Sequence, residues 1–286
     1  MSDVQKPDVV YLMGAGRSGS TLLGIALGNL PDVFYGGELF AWNHFGGEPI
    51  TEDEELRSFW GSVKEGVPQT THHFDHDFFR NLEHLSSLLR IRSQLDARLA
   101  RDHADHNRAL FAAIRRATGC HVVVDSSHFP LRARRLRKMS GLDVRVVHLV
   151  RDPRSVIASF QKDVQRHEPM GRLRANLYCL VVELLSTVVY RSFPRAKRAT
   201  VRYEDLVTDP QRTIGRLASV LGLDEELPDF ADLRTGFVFQ GNRIRHQRSV
   251  AVRAGGERTA LPFPWSAVTT ALQAPVLLRH GYWRTR

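Results

Sequence analysis

Three stretches of the chain are apolar without alternation: VVYLM at Val9–Met13, HVVVD at His121–Asp125 and VRVVHLV at Val144–Val150. A shorter β-rich run follows at Thr200–Tyr203. Continuous apolar runs suit strands covered on both faces, as in a parallel sheet. Helical patterning falls between them, over Thr21–Asn29, Asp77–Thr118, Phe129–Lys138, Ser155–Lys162, Gly171–Ser192 and Pro210–Leu221. This alternation predicts a three-layer α/β/α fold with a central parallel sheet and ligands at the carboxyl ends of the strands. Phe45–Thr71 is polar, carries turn signals at Gly46-Gly47 and Gly66, and is expected to be a loop. With the charged, histidine-rich segment that follows, residues 45–118 form a helical insertion after the first strand–helix unit. It is either an acceptor-side lid or a surface hairpin without a ligand role. Residues 250–286 form a basic C-terminal segment, with loop signals at Gly255-Gly256 and Pro262–Pro264 and a helix around Trp265–His280. One domain over residues 1–286 is expected.

With 42% hydrophobic and 25% charged residues, the 286-residue chain has an ordinary globular composition. The net charge of +9 points either to nucleic acid or to a small anionic ligand steered by positive potential. No helix-turn-helix, RNA-recognition or zinc-finger signature supports the first, so no nucleic-acid partner is expected. The two cysteines, Cys120 and Cys179, allow no disulfide framework. MSDVQKPDVV has no apolar signal core, and the longest apolar run, Leu177–Tyr190, is interrupted by Glu183. That run is expected to be a buried helix too short to span a bilayer. A cytoplasmic chain without a transmembrane segment follows as the expectation, with a homo-oligomer left open.

The stretch Val9–Leu23, VVYLMGAGRSGSTLL, is a strand, a glycine-rich turn and a helix start. Glycines allow close backbone approach, and the unpaired N–H groups at a helix N-terminus attract phosphate. Gly14 and Gly19 have the spacing of the nucleotide-binding P-loop G-x-x-x-x-G-K-[ST]. Here Ser20-Thr21 stands where that pattern has Lys followed by Ser or Thr, and the only cation in the turn is Arg17. The charge clamp of a triphosphate hydrolase is therefore missing. Gly16, Arg17, Ser18, Gly19, Ser20 and Thr21 suit a ligand with a single phosphate at the turn and a group to be transferred. A second strand–turn–helix corner lies in Val146–Phe160, VVHLVRDPRSVIASF. Arg151 ends its strand, Pro153 suits an early helical position, and Ser159 follows Arg151 by eight residues. The guanidinium fork of Arg151 can bind phosphate with two hydrogen bonds, or Arg151 can form an ion pair with Asp152 or Glu204.

GAGRSGSTLL followed by VHLVRDPRSVIASF resembles the sulfotransferases that use 3′-phosphoadenosine 5′-phosphosulfate (PAPS), in their bacterial, carbohydrate and tyrosylprotein-type branches. Arg202–Pro210, RYEDLVTDP, is similar to another segment of that family, and Phe239–Arg245, FQGNRIR, to its GN-x-x-R element. The resemblance implies a P-loop-type fold and transfer of a sulfuryl group from PAPS to a hydroxyl of a small-molecule, sugar or lipid acceptor, without a metal. It implies that the first corner holds the 5′-phosphosulfate and that Arg151 and Ser159 hold the 3′-phosphate. Asn242 and Arg245 would complete the nucleotide pocket, and Arg17 would stabilise charge on the leaving oxygen. Glu38, in LPDVFYGGELFAW, matches the glutamate base of tyrosylprotein-type members by its spacing from the first turn. His128, in DSSHFP, stands where related patterns carry a catalytic histidine or a lysine. It is therefore base, donor contact or acceptor ligand.

His72, His73, Asp75, His76 and Asp77 also allow a metal reading, against which stands a solvated polar segment. His103 and His106 are expected on an exposed helix face. Two rival functions remain at this level. One is an ATP-dependent small-molecule kinase with Asp125 holding a metal. The other is a basic protein that binds nucleic acid or anionic surfaces without enzymatic activity.

Overall fold

In a computed structural model of the protein, residues 6–68, 97–162, 169–253 and 261–283 are described. Five parallel strands form the central sheet: β1 (Val9–Met13), β2 (Val33–Gly37), β3 (Val122–His128), β4 (Val144–Val150) and β5 (Arg198–Arg202). Their spatial order is β2-β3-β1-β4-β5. The helices of the first half are α1 (Ser20–Gly28), α2 (Ala41–His44), α3 (Glu54–Glu65), α4 (Ala97–Thr118) and α5 (Pro130–Leu136). They are followed by α6 (Pro153–Phe160), α7 (Arg172–Ser192), α8 (Tyr203–Thr208), α9 (Pro210–Leu221), α10 (Trp265–Leu272) and α11 (Ala274–Arg279). A two-stranded ribbon, β6 (Leu233–Arg234) with β7 (Ser249–Val250), brackets the late loop.

The apolar runs are covered on both sides, as their lack of alternation predicts. Val9, Tyr11 and Met13 of β1 pack into a core shared with α3, α4 and α5. Val10 and Leu12 pack into a second core with α1 and α9. This is the three-layer α/β/α arrangement. The pairing of β3 with both β1 and β2 shifts register near the carboxyl ends, between Tyr11 and Met13 and between Tyr35 and Gly37. The ladder is thus irregular where Met13, Gly37 and Asp125–His128 converge.

Four expectations are corrected. β2 was not expected, because Gly36-Gly37 at its end has the composition of a turn; the helical excursion therefore runs from β2 to β3. Phe45–Thr71 is not all loop: α3 forms because Asp53 caps it (its carboxylate accepts from Leu56 N at 3.1 Å) and Leu56, Trp60 and Val63 share a buried face. Trp60 anchors this helix by donating its indole N–H to the Phe237 carbonyl at 2.9 Å. His103 and His106 are buried, because they fall on the face of α4 that also carries Leu110, Phe111 and Ile114. Finally, α7 spans 21 residues, and by length and composition alone it is long and apolar enough to cross a membrane. One side of it buries Asn176, Glu183, Ser186 and Thr187 against the domain, whereas Leu173, Leu177, Leu184 and Val188 are exposed.

Candidate active site

The glycine turn after β1 is shaped by contacts that leave no room for side chains. A Cβ on Gly14 would lie 2.3 Å from the Leu149 carbonyl oxygen. A Cβ on Gly19 would lie 2.4 Å from the Tyr203 ring, and Gly19 has φ 95°. Gly19 stands at the N-cap of α1, and no side chain caps that helix end. Its first N–H groups therefore remain available to an anion. Ser18 and Thr21 are buried at the turn. The Thr21 hydroxyl accepts from Asn242 N at 3.1 Å, which ties the FQGNRIR loop to the start of α1.

The second corner follows β4. Asp152 caps α6 by accepting from Arg154 N at 2.9 Å, and it pairs with the Arg154 guanidinium at 2.7 Å. Glu204 accepts from Asp152 N at 3.1 Å and from the Tyr282 hydroxyl. Both candidate ion-pair partners of Arg151 are thus engaged elsewhere, Asp152 with Arg154 and Glu204 with Asp152 N and Tyr282. Arg151 instead donates from Nη1 to the Arg17 carbonyl at 2.9 Å, and its guanidinium lies 4.3 Å from the centroid of the Tyr203 ring. The two corners, 134 residues apart in sequence, form one surface. Ser159 is half-buried two turns along α6.

Glu38 follows β2 and is fixed by the late loop. Its N–H donates to the Gln240 carbonyl at 2.7 Å, and Phe239 N donates to the Gly36 carbonyl at 3.0 Å. Arg245 stiffens this loop from within. Its guanidinium donates to the carbonyls of Phe239 (3.0 Å), Val238 (3.4 Å) and Ile50 (3.2 Å). Burial pushes the Glu38 carboxyl up to about 7, the negative charge of Asp125 adds to the rise, and Arg245 and Arg17 oppose it. Glu38, Asp125, Arg245 and Arg17 therefore share one electrostatic neighbourhood.

The end of β3 supplies the remaining wall. Asp125 accepts from Arg132 Nε at 2.9 Å and from Ser127 N at 2.9 Å; both Asp125 and Arg132 are buried. Ser126 and Tyr35 hydrogen bond at 2.8 Å, and Phe40 N donates to the Ser127 hydroxyl at 2.9 Å. His128 sits at φ 55°, with its ring against Phe129 (centroids 4.4 Å apart) and edge-on to Phe40 (6.4 Å). Its carbonyl accepts from Gly14 N at 3.3 Å. Arg17 (φ 68°) and His128 are two of the three non-glycine residues with positive φ among the described residues, and both line these strand ends. Asp125 is neutralised by a buried arginine of its own chain, an arrangement suited to bracing the β3 loop.

Arg17, Glu38, His128, Arg151, Asn242 and Arg245 thus lie at the carboxyl ends of the strands and in the loop tied to them, whereas Ser159 lies further along α6. Tyr203, which stacks on Arg151, and Tyr178, whose hydroxyl accepts from Gly16 N at 3.2 Å, were not singled out from sequence. Among the described residues no group of three His, Cys, Asp or Glu side chains is placed to hold a metal; the segment His72–Asp77 lies outside them.

An uncapped helix N-terminus, an adjoining arginine corner and a carboxyl held above its ordinary range thus stand together at the ends of parallel strands in a three-layer α/β/α fold. Residues 7–227 match the model of the sulfotransferase family, and the chain belongs to that family. Human carbohydrate sulfotransferase 3 is 27% identical over 187 residues, which covers 54% of this chain and 39% of that protein. The fold is also that of the sulfotransferase domain from the curacin biosynthetic pathway (TM-score 0.55, 18% identity, 94% of this chain and 97% of that one). The sulfotransferase domain of the Synechococcus PCC 7002 olefin synthase is similar (TM-score 0.53, 17% identity, 96% of both chains).

Proposed function

We propose that the protein moves the sulfuryl group of PAPS to a hydroxyl of a small-molecule, sugar or lipid acceptor. The observation that carries this reading is the 2.9 Å contact of Arg151 with the Arg17 carbonyl. It makes one binding surface of two anion corners, as a donor phosphorylated at both its 3′ and 5′ positions requires. ATP has no 3′-phosphate for the second corner. The α1 N-terminus, with Ser18, Ser20 and Thr21, receives the 5′ side. Arg151, steadied by Tyr203, receives the 3′-phosphate together with Ser159. Asn242 and Arg245 serve the pocket by holding the late loop on α1 and β2.

Glu38 takes the proton of the acceptor hydroxyl. The acceptor oxygen forms its bond to sulfur as the bond from sulfur to the phosphate oxygen breaks, and Arg17 offsets charge on that leaving oxygen. A carboxyl brought up to about 7 is better matched to this proton than an ordinary one near 4.5. His128, with its ring against Phe40 and Phe129, flanks the acceptor side. The donor half is tested by thermal shift: adenosine 3′,5′-bisphosphate (PAP) raises the melting temperature, whereas equal ATP with magnesium and a duplex oligonucleotide do not. The acceptor half is tested by transfer of label from PAPS to a panel of sugar, lipid and phenolic hydroxyls. Magnesium-dependent ATP binding without a response to PAP would favour a kinase instead.

A further inference from the structure

The first corner holds a side chain that the reaction outlined above leaves unused. Tyr178 lies on α7, and its hydroxyl oxygen accepts from the backbone N–H of Gly16, the residue before Arg17, at 3.2 Å. The contact joins positions 162 residues apart. A Cβ on Gly16 would come within 3.3 Å of the same hydroxyl, so the turn is closed directly onto it. The ring is held edge-on by Phe160 of α6, with centroids 5.6 Å apart and planes at 85°. Tyr178 is thus fixed from both corners at once.

A phenolic oxygen that accepts one hydrogen bond still has its own hydrogen to donate. Among the described residues no group accepts that hydrogen. Burial holds the phenol up at about 12, against the opposing pull of the Gly16 N–H, so the hydroxyl stays protonated near neutral pH. The hydroxyl therefore stands against the glycine turn itself, at the backbone of the residue before Arg17.

We propose that Tyr178 is a donor-binding residue whose O–H hydrogen bonds an oxygen of the sulfuryl group in transit, while its oxygen keeps the Gly16 N–H. The inference rests on the reading of this corner as the PAPS site. Tyr178 keeps its proton throughout, and the acceptor proton still goes to Glu38. The role is recognition of the transferable group, which distinguishes the loaded donor PAPS from the spent product PAP.

The test is isothermal titration of PAPS and of PAP into the wild-type protein and Tyr178→Phe. The phenylalanine ring preserves the contact with Phe160. The expected result is about a tenfold loss of affinity for PAPS with PAP affinity unchanged, the size of one hydrogen bond to a charged group. Equal losses for both ligands would assign Tyr178 to shaping the turn through Gly16 and would overturn the proposal. So would unchanged affinity for both. If the wild-type protein bound neither ligand, the functional reading would fall and this inference with it. Normal wild-type binding with no selective loss in Tyr178→Phe would remove the inference alone.

Discussion

Two acidic side chains, Glu38 and Glu183, are withdrawn from water on this domain and move in opposite directions. Burial raises the pKa of each. At Glu38 nothing outweighs it: Asp125 adds repulsion, Arg17 and Arg245 only moderate it, and the carboxyl comes to about 7. At Glu183, on α7, burial is overcome by hydrogen bonds from His148 at 3.2 Å and His280 at 2.7 Å, which hold the carboxyl down to about 2. Direct donors decide the difference, not depth. A carboxylate gripped by two imidazoles is a fastening between β4, α7 and the end of α11. One with cations nearby but, among the described residues, no short donor remains able to take up a proton near neutrality.

The largest expected consequence is catalytic. Glu38→Gln should lower turnover by about a thousandfold, within the usual range for loss of a general base, while PAP binding measured by titration stays unchanged. Normal turnover would remove Glu38 as the base. The next effect is on stability. Glu183→Gln should cost about 3 kcal/mol in chemical denaturation, the order expected when a buried carboxylate is removed from between two imidazole donors. The stabilisation from Glu183 is fully present above about 4.5 and is lost as pH falls toward 2. Glu38 has the opposite sign: its raised value favours the fold below about 4.5, and that contribution is lost as pH rises through 7. Glu38→Gln should therefore stabilise the protein above pH 7, and a destabilised variant there would contradict the comparison. The smallest effect is on the rate profile. As a base, Glu38 must be ionised, so kcat/KM should fall about tenfold per pH unit below about 7. That limb should vanish in Glu38→Gln.

The fold was legible where patterns are local and repeated. Continuous apolar runs gave β1, β3 and β4 because both faces of each are covered by helices. β2 was hidden because its last two residues are glycines, kept where Gly37 meets the late loop. α3 was hidden by charges on its outer face, although Leu56, Trp60 and Val63 carry a helical spacing. In the site, the glycine turn and the Arg-Asp-Pro corner could be found because each is a contiguous motif. Their meeting could not, since the Arg151–Arg17 contact depends on β1 and β4 being neighbours. Tyr178 carried no local signal at all: it is one aromatic residue in an apolar helix, and its partner is a backbone N–H far away in sequence. Arg245 belonged to a recognisable element, yet only the structure shows its guanidinium engaged with loop carbonyls.

The central claim is that two phosphate corners hold the two ends of one nucleotide. Its most direct test is the affinity of wild-type and Arg151→Gln protein for PAP against adenosine 5′-phosphate, which lacks only the 3′-phosphate. The account predicts that wild type prefers PAP by at least about tenfold, and that Arg151→Gln erases this preference while leaving adenosine 5′-phosphate binding intact. A preference that survived the loss of the Arg151 guanidinium, or a wild-type protein indifferent to the 3′-phosphate, would contradict it.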